Sequence, residues 1–140
     1  MEYDIDKSVY WLKKAIQSGN SLAYLKLADI YNSPEIESGK YYNPDEAERF
    51  YHYVMELHDE SACGSAAFSL GMIFGAELIF GGAKSTKTNA KKAVYWLYQA
   101  YWFDYYKAEE YIQTILDKTE IRISEAEFEQ WKREYFYRVT

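Results

Sequence analysis

The sequence predicts an all-α chain of seven helices: three helix–turn–helix units and a final helix. Three observations predict it. Only two prolines, Pro34 and Pro44, occur in 140 residues. No run alternates apolar and polar residues like a strand for more than a few positions, and the dominant period is helical. The chain also repeats itself. SVYWLKKA (8–15) returns as AVYWLYQA (93–100) at an offset of 85, pairing Val9, Tyr10, Trp11, Leu12 and Ala15 with Val94, Tyr95, Trp96, Leu97 and Ala100. The register persists to Ala23 and Ala108.

The elements follow in order. The first unit covers about 4–32, and Gly19 sits where its first helix should stop. A polar linker, NSPEIESGKYY (32–42), leads to Asn43-Pro44-Asp45-Glu46. That run combines an N-cap, a first-turn proline and an acid three residues beyond the cap. It opens the second unit, about 43–81, whose AERFYHYV (47–54) repeats the first helix at an offset of 39. Its second helix, AAFSLGMIF (66–74), echoes AYLKLADIY (23–31) at an offset of 43, which predicts a longer turn in HDESACGS. A second polar linker, GGAKSTKTN (81–89), precedes the third unit, about 88–117. Ser124-Glu125-Ala126-Glu127 is a capping box that opens a helix over about 124–138. Phe128, Trp131 and Tyr135 share one face of it, as expected of a helix covering the open end of a stack.

Composition narrows the function. Apolar residues make up 49% and charged residues 27%, which excludes a disordered chain. Sixteen Tyr, seven Phe and four Trp are more rings than a small core needs. The net charge of −6 disfavours nucleic acid, because phosphate neutralisation needs a basic face, and suits a basic partner. Cys63 is the only cysteine, so no intrachain disulfide forms. The first 20 residues lack the basic start and apolar stretch of a signal peptide, and the expected location is the cytoplasm. Residues 66–83 are apolar with one charge, Glu77, but four glycines and marginal length predict a buried helix, not a membrane span.

The repeated pattern is A-x-x-W-L/Y-x-x-A, a turn, then A-x-x-x-L-A/G-x-I-Y/F. It resembles the Sel-one-like repeat (SLR) family, relatives of the tetratricopeptide repeats. VYWLKKAIQSGNSLAYLKLADIY, AERFYHYV with AAFSLGMIF, and AVYWLYQAYWFDYYKA carry the resemblance, over roughly residues 4–117. The third unit departs from the pattern in having Asp104-Tyr105 in place of the turn glycine and Ile112-Gln113 in place of Leu-Gly. The resemblance implies a right-handed α/α superhelix that binds other proteins without catalysis. Family members serve as adaptors in signalling and protein quality control, and small bacterial ones as immunity proteins that neutralise toxins.

Few residues are spaced to carry chemistry. His52 and Glu56 are four apart on one helix and could touch one metal ion, but no third ligand is suitably spaced. Cys63 has only His58 nearby, so a packed thiol is the default. The G-x-x-x-G at Gly71–Gly75 lacks the lysine of a phosphate loop and is read as close helix packing, with Gly71 aligned on Ala28. No catalytic residue, metal or cofactor is expected.

The register offers a sharper site. The buried columns should be Ser8, Trp11, Leu12 and Ala15; Ala47, Phe50, Tyr51 and Val54; and Ala93, Trp96, Leu97 and Ala100. The opposite faces are Tyr10, Lys13, Lys14 and Gln17; Arg49, His52, Tyr53 and Glu56; and Tyr95, Tyr98, Gln99 and Trp102. Rings on such a face mark an interaction site unless Tyr98 and Trp102 pack beneath the last helix. The candidate partner-binding residues are Arg49, Tyr53, Glu56, Tyr95, Tyr98 and Trp102. Residues 43–86 hold 7 acidic and 2 basic groups, which would steer a basic partner. The expected function is a bacterial cytoplasmic immunity protein that blocks a basic toxin, as a monomer or weak homodimer. The alternative is an adaptor or scaffold.

Overall fold

A computed structural model describes residues 4–82 and 84–139, and these residues form seven α-helices and no strand. The helices are α1 (Ile5–Gln17), α2 (Ser21–Tyr31), α3 (Pro44–Glu56), α4 (Glu60–Phe80), α5 (Ala90–Trp102), α6 (Lys107–Lys118) and α7 (Glu125–Val139). The chain divides into two compact units, Met1–Ala62 and Cys63–Thr140.

The starts of α1, α3 and α5 are built alike. Each is 13 residues long and follows an N-cap whose side chain accepts a backbone N–H three residues on: Asp4 from Lys7, Asn43 from Glu46 and Asn89 from Lys92. The caps at 4, 43 and 89 are spaced by 39 and 46 residues. Asn43 and Asn89 also donate their own N–H to the preceding helix, at Tyr31 O (2.8 Å) and Phe74 O (2.9 Å). Such caps satisfy amides that would otherwise be orphaned, each contributing about 1 kcal/mol.

The ends are alike too. Gly19, His58 and Asp104 follow α1, α3 and α5 at the same spacings, and all three have positive φ, +78°, +56° and +73°. Gly19 and Asp104 close the same double turn. Gly19 N–H meets Ile16 O and Asn20 N–H meets Ala15 O, as Asp104 N–H meets Tyr101 O and Tyr105 N–H meets Ala100 O. The left-handed conformation that the turn demands is therefore met in the third unit by an aspartate, the residue flagged as a departure.

Three sequence expectations need correction. The first is the turn after α3. It is not enlarged, because α4 begins at Glu60, the register mate of Ser21, where α2 begins. The four extra residues form one more helical turn, which keeps the buried face in phase. The second is the buried column of α1. Ile5 and Val9 are buried there against Leu27 and Ile30, while Ser8, Leu12 and Ala15 are half-buried and Trp11 is 65% exposed. The third is the role of α7, which packs on α5 rather than over α6.

The α6 outer face explains why it needs no cover. At the positions where α2 has Tyr24, Leu25 and Ala28, α6 has Glu109, Glu110 and Gln113, all exposed. Among the described residues no helix covers that face, and its polar side chains suit exposure to water.

Close packing in the second unit runs through two glycines of α4. A Cβ at Gly71 would lie 2.7 Å from the Leu97 side chain, and one at Gly75 would lie 2.8 Å from Ala93 Cβ. The packing reading of G-x-x-x-G therefore holds. α4 is, by length and composition, apolar enough to cross a membrane, with a mean hydropathy of 1.6, and 44% of that window is buried in the fold. Its one interior charge, Glu77, is used: it accepts from Ser85 N–H (2.9 Å) and Thr88 Oγ1 (2.6 Å) and so anchors the 81–89 linker. The first linker is anchored similarly, by Asp6, which takes Lys40 Nζ (2.8 Å) and the Tyr41 hydroxyl.

Candidate functional site

The six candidate residues fall on two faces, one in each unit, with opposite fates. On α5 the face is covered. Tyr98 packs on Phe128 (4.9 Å between centroids) and Trp131 (6.3 Å), and Trp102 packs on Tyr135 and Phe136 of α7. Tyr95 meets Trp131 edge-on at 5.3 Å and donates its hydroxyl to Glu134 Oε2 at 2.5 Å. Burial, together with that hydrogen bond, pushes the Tyr95 phenol above its ordinary range.

A buried polar knot fixes the seat. Gln99 is fully buried, and its Nε2 donates to the Trp131 carbonyl at 2.7 Å. Its Oε1 accepts from Arg138 Nη1 at 2.7 Å, and the Arg138 guanidinium also lies over Trp96. Lys91 and Glu127 pair at 2.7 Å at the other end of α7. Ser124 and Glu127 form the capping box expected from the sequence. Tyr95, Tyr98 and Trp102 thus take the arrangement in which they pack beneath the last helix.

On α3 the corresponding face is open. In register, Arg49, His52, Tyr53 and Glu56 occupy the positions of Tyr95, Tyr98, Gln99 and Trp102. They line a groove of about 440 Å³ whose apolar floor is Ile16, Tyr24 and Phe50. Three rings are mutually packed there, with Tyr24 at 4.7 Å from Tyr53 and 5.5 Å from Phe50. Tyr53 is 42% exposed, so its ring is available to a ligand. Arg49 pairs with Glu46 and sits over Phe50, which holds the guanidinium at the rim. Glu56 is exposed at the end of the helix. The face thus has an aromatic floor and one charge of each sign at its edge.

His52 Nε2 lies 3.6 Å from Glu48 Oε2, one turn back along α3. His58 occupies the left-handed turn, and Cys63 is a buried free thiol. Among the described residues no group of three or more His, Cys, Asp or Glu is placed to hold a metal ion. All three residues of the groove floor lie outside the sequence-derived site: Phe50 is assigned there to the buried column of α3, and Ile16 and Tyr24 are not singled out. The signal of Ile16 and Tyr24 is faint, since each reaches the groove from a neighbouring helix. Comparison of the chain with protein-family models, curated proteins and solved structures gives no match.

Proposed function

We propose that the chain is a three-repeat Sel-one-like superhelix that binds another protein through the open face of α3. One observation carries the reading: the α3 face is uncovered and aromatic-floored, while its register mate on α5 is filled by a helix of the same chain. Equal helix lengths, matching caps and matching left-handed turns at spacings of 39 and 46 support the repeat architecture. Tyr53 is the anchor of the site, Arg49 and Glu56 fix orientation, and the role of Tyr95, Tyr98 and Trp102 becomes that of seating α7.

Within this reading, the partner is a basic toxin and the chain is a cytoplasmic immunity protein. The charge supports a basic partner: residues 1–62 hold 12 acidic and 6 basic groups, whereas residues 63–140 hold 10 of each. The whole excess thus belongs to the unit that contains the groove, where it speeds capture of a cation-rich surface. The test is growth of cells that express a toxin encoded beside the gene, with and without this chain. Protection is expected, and its loss with Tyr53→Ala/Glu56→Ala. Absence of protection and of binding to any such toxin would rule the immunity reading out.

A further inference from the structure

Trp11 is in the wrong environment for its register. Its mates are Phe50 and Trp96. Trp96 is 9% exposed, and Phe50 is packed against Tyr24 (5.5 Å) and Tyr31 (5.6 Å), two rings seven residues apart on α2. Trp11 is 65% exposed, beside Tyr10 at 54%, with the two rings 5.2 Å apart. It lines an open groove of about 730 Å³ between α1 and α2, together with Leu12, Ile30, Lys7 and Lys26. Exposed rings of this size mark a contact surface.

The charges at that groove point to the chemistry of the occupant. Lys40, Lys91 and Lys107 are each paired with a carboxylate. Lys7 and Lys26 have no ion pair among the described residues. The one acid lining the groove, Asp29, already accepts the Tyr51 hydroxyl. A second copy of this chain fits poorly. Its α6 would offer Glu109 and Leu116 where α2 offers Tyr24 and Tyr31, supplying charge without rings.

We propose that the α1–α2 groove around Trp11 docks an acidic amphipathic helix of a partner protein. Two aromatic side chains seven residues apart enclose Trp11 as Tyr24 and Tyr31 enclose Phe50, and carboxylates at the helix edge pair with Lys7 and Lys26. The proposal rests on the repeat register and is independent of the α3 site.

The probes are three helix-stapled peptides copied from residues 19–33. An acidic one carries Leu22→Glu and Lys26→Glu, a second adds Tyr24→Ala and Tyr31→Ala to it, and a basic one carries Leu22→Lys. The readout is ¹⁹F NMR of the full chain with its four tryptophans replaced by 5-fluorotryptophan, the Trp11 signal being assigned with Trp11→Phe. The acidic peptide is expected to move the Trp11 signal and saturate. Affinity should fall about tenfold for the peptide lacking both rings and for the basic peptide. Lys7→Glu/Lys26→Glu should reverse the charge preference, and Arg49→Ala/Tyr53→Ala/Glu56→Ala should change nothing. Equal binding of acidic and basic peptides, or an unmoved Trp11 signal, would overturn the proposal. So would a Trp11 signal that shifts with protein concentration alone, since a second copy would then be the occupant.

Discussion

Replacing Arg138 by Ala should release α7 from α5 before the rest of the chain unfolds. The cost is set by what the side chain holds. Its Nη1 is the donor to Gln99 Oε1 at 2.7 Å, and Gln99 is fully buried. Removing the donor leaves a buried amide oxygen unsatisfied, at about 1–3 kcal/mol. Losing the guanidinium from the face of Trp96 adds about 0.5–1 kcal/mol. The sum is about 1.5–4 kcal/mol, roughly a 10- to 700-fold rise in the open population of α7. No described residue of α7 is fully buried, so this helix stands at the low-stability end of its unit. Hydrogen exchange resolved by peptide is the assay. Exchange across 125–139 should accelerate by that factor, with α1–α3 unchanged, and Arg138→Lys should recover only part of the protection because it lacks the planar fork. Unchanged exchange in α7, or an equal loss in every helix, would refute the reasoning.

Three further outcomes are expected. Gly71→Ala puts a Cβ 2.7 Å from Leu97 and should cost about 1–3 kcal/mol in urea unfolding, and an unaltered midpoint would contradict the close α4–α5 approach. Asp104→Gly and His58→Gly relieve left-handed residues at +73° and +56° and should each raise the unfolding free energy by up to about 1 kcal/mol; a loss would show that the side chains matter more than the backbone. Stability should also fall in acid. Thr88 and the Ser85 amide hold the Glu77 carboxyl below its usual range, and Lys91 does the same for Glu127. Folded values below unfolded ones mean that this stabilisation is present above about pH 4 and is lost as pH falls through the depressed values. Glu77→Gln should therefore flatten the acid limb of a urea-midpoint profile, and an unchanged limb would remove Glu77 from it.

Much of the fold was legible because caps and turns are local. Asn43-Pro44 and Ser124-x-x-Glu127 mark helix starts through hydrogen bonds that span three residues, and the structure makes those bonds. What failed was non-local. The four residues added between the units' second-helix words were read as turn. Glu60-Ser61-Ala62-Cys63 instead continue a helix, since nothing in them breaks one. Trp11 looked like core by analogy with Trp96, yet it is 65% exposed where Trp96 is 9% exposed, because no described residue covers it. The α5 half of the site turned on which groove α7 chooses. Periodicity shows that a helix has an apolar face but not where that face docks. The ring-rich α5 face and the polar α6 face together held that information.

The most direct measurement is a quantitative pull-down from the source cells with two baits, the native chain and Arg49→Ala/Tyr53→Ala/Glu56→Ala. These three side chains are exposed at the groove, and because Tyr53 also packs on Tyr24 and Arg49 on Phe50, matching helical circular dichroism of the two baits is the control for folding. The account predicts one stoichiometric, basic protein on the native bait and at least about tenfold less on the variant, as for loss of a binding hot spot. Equal recovery on both baits would contradict a binding face on α3.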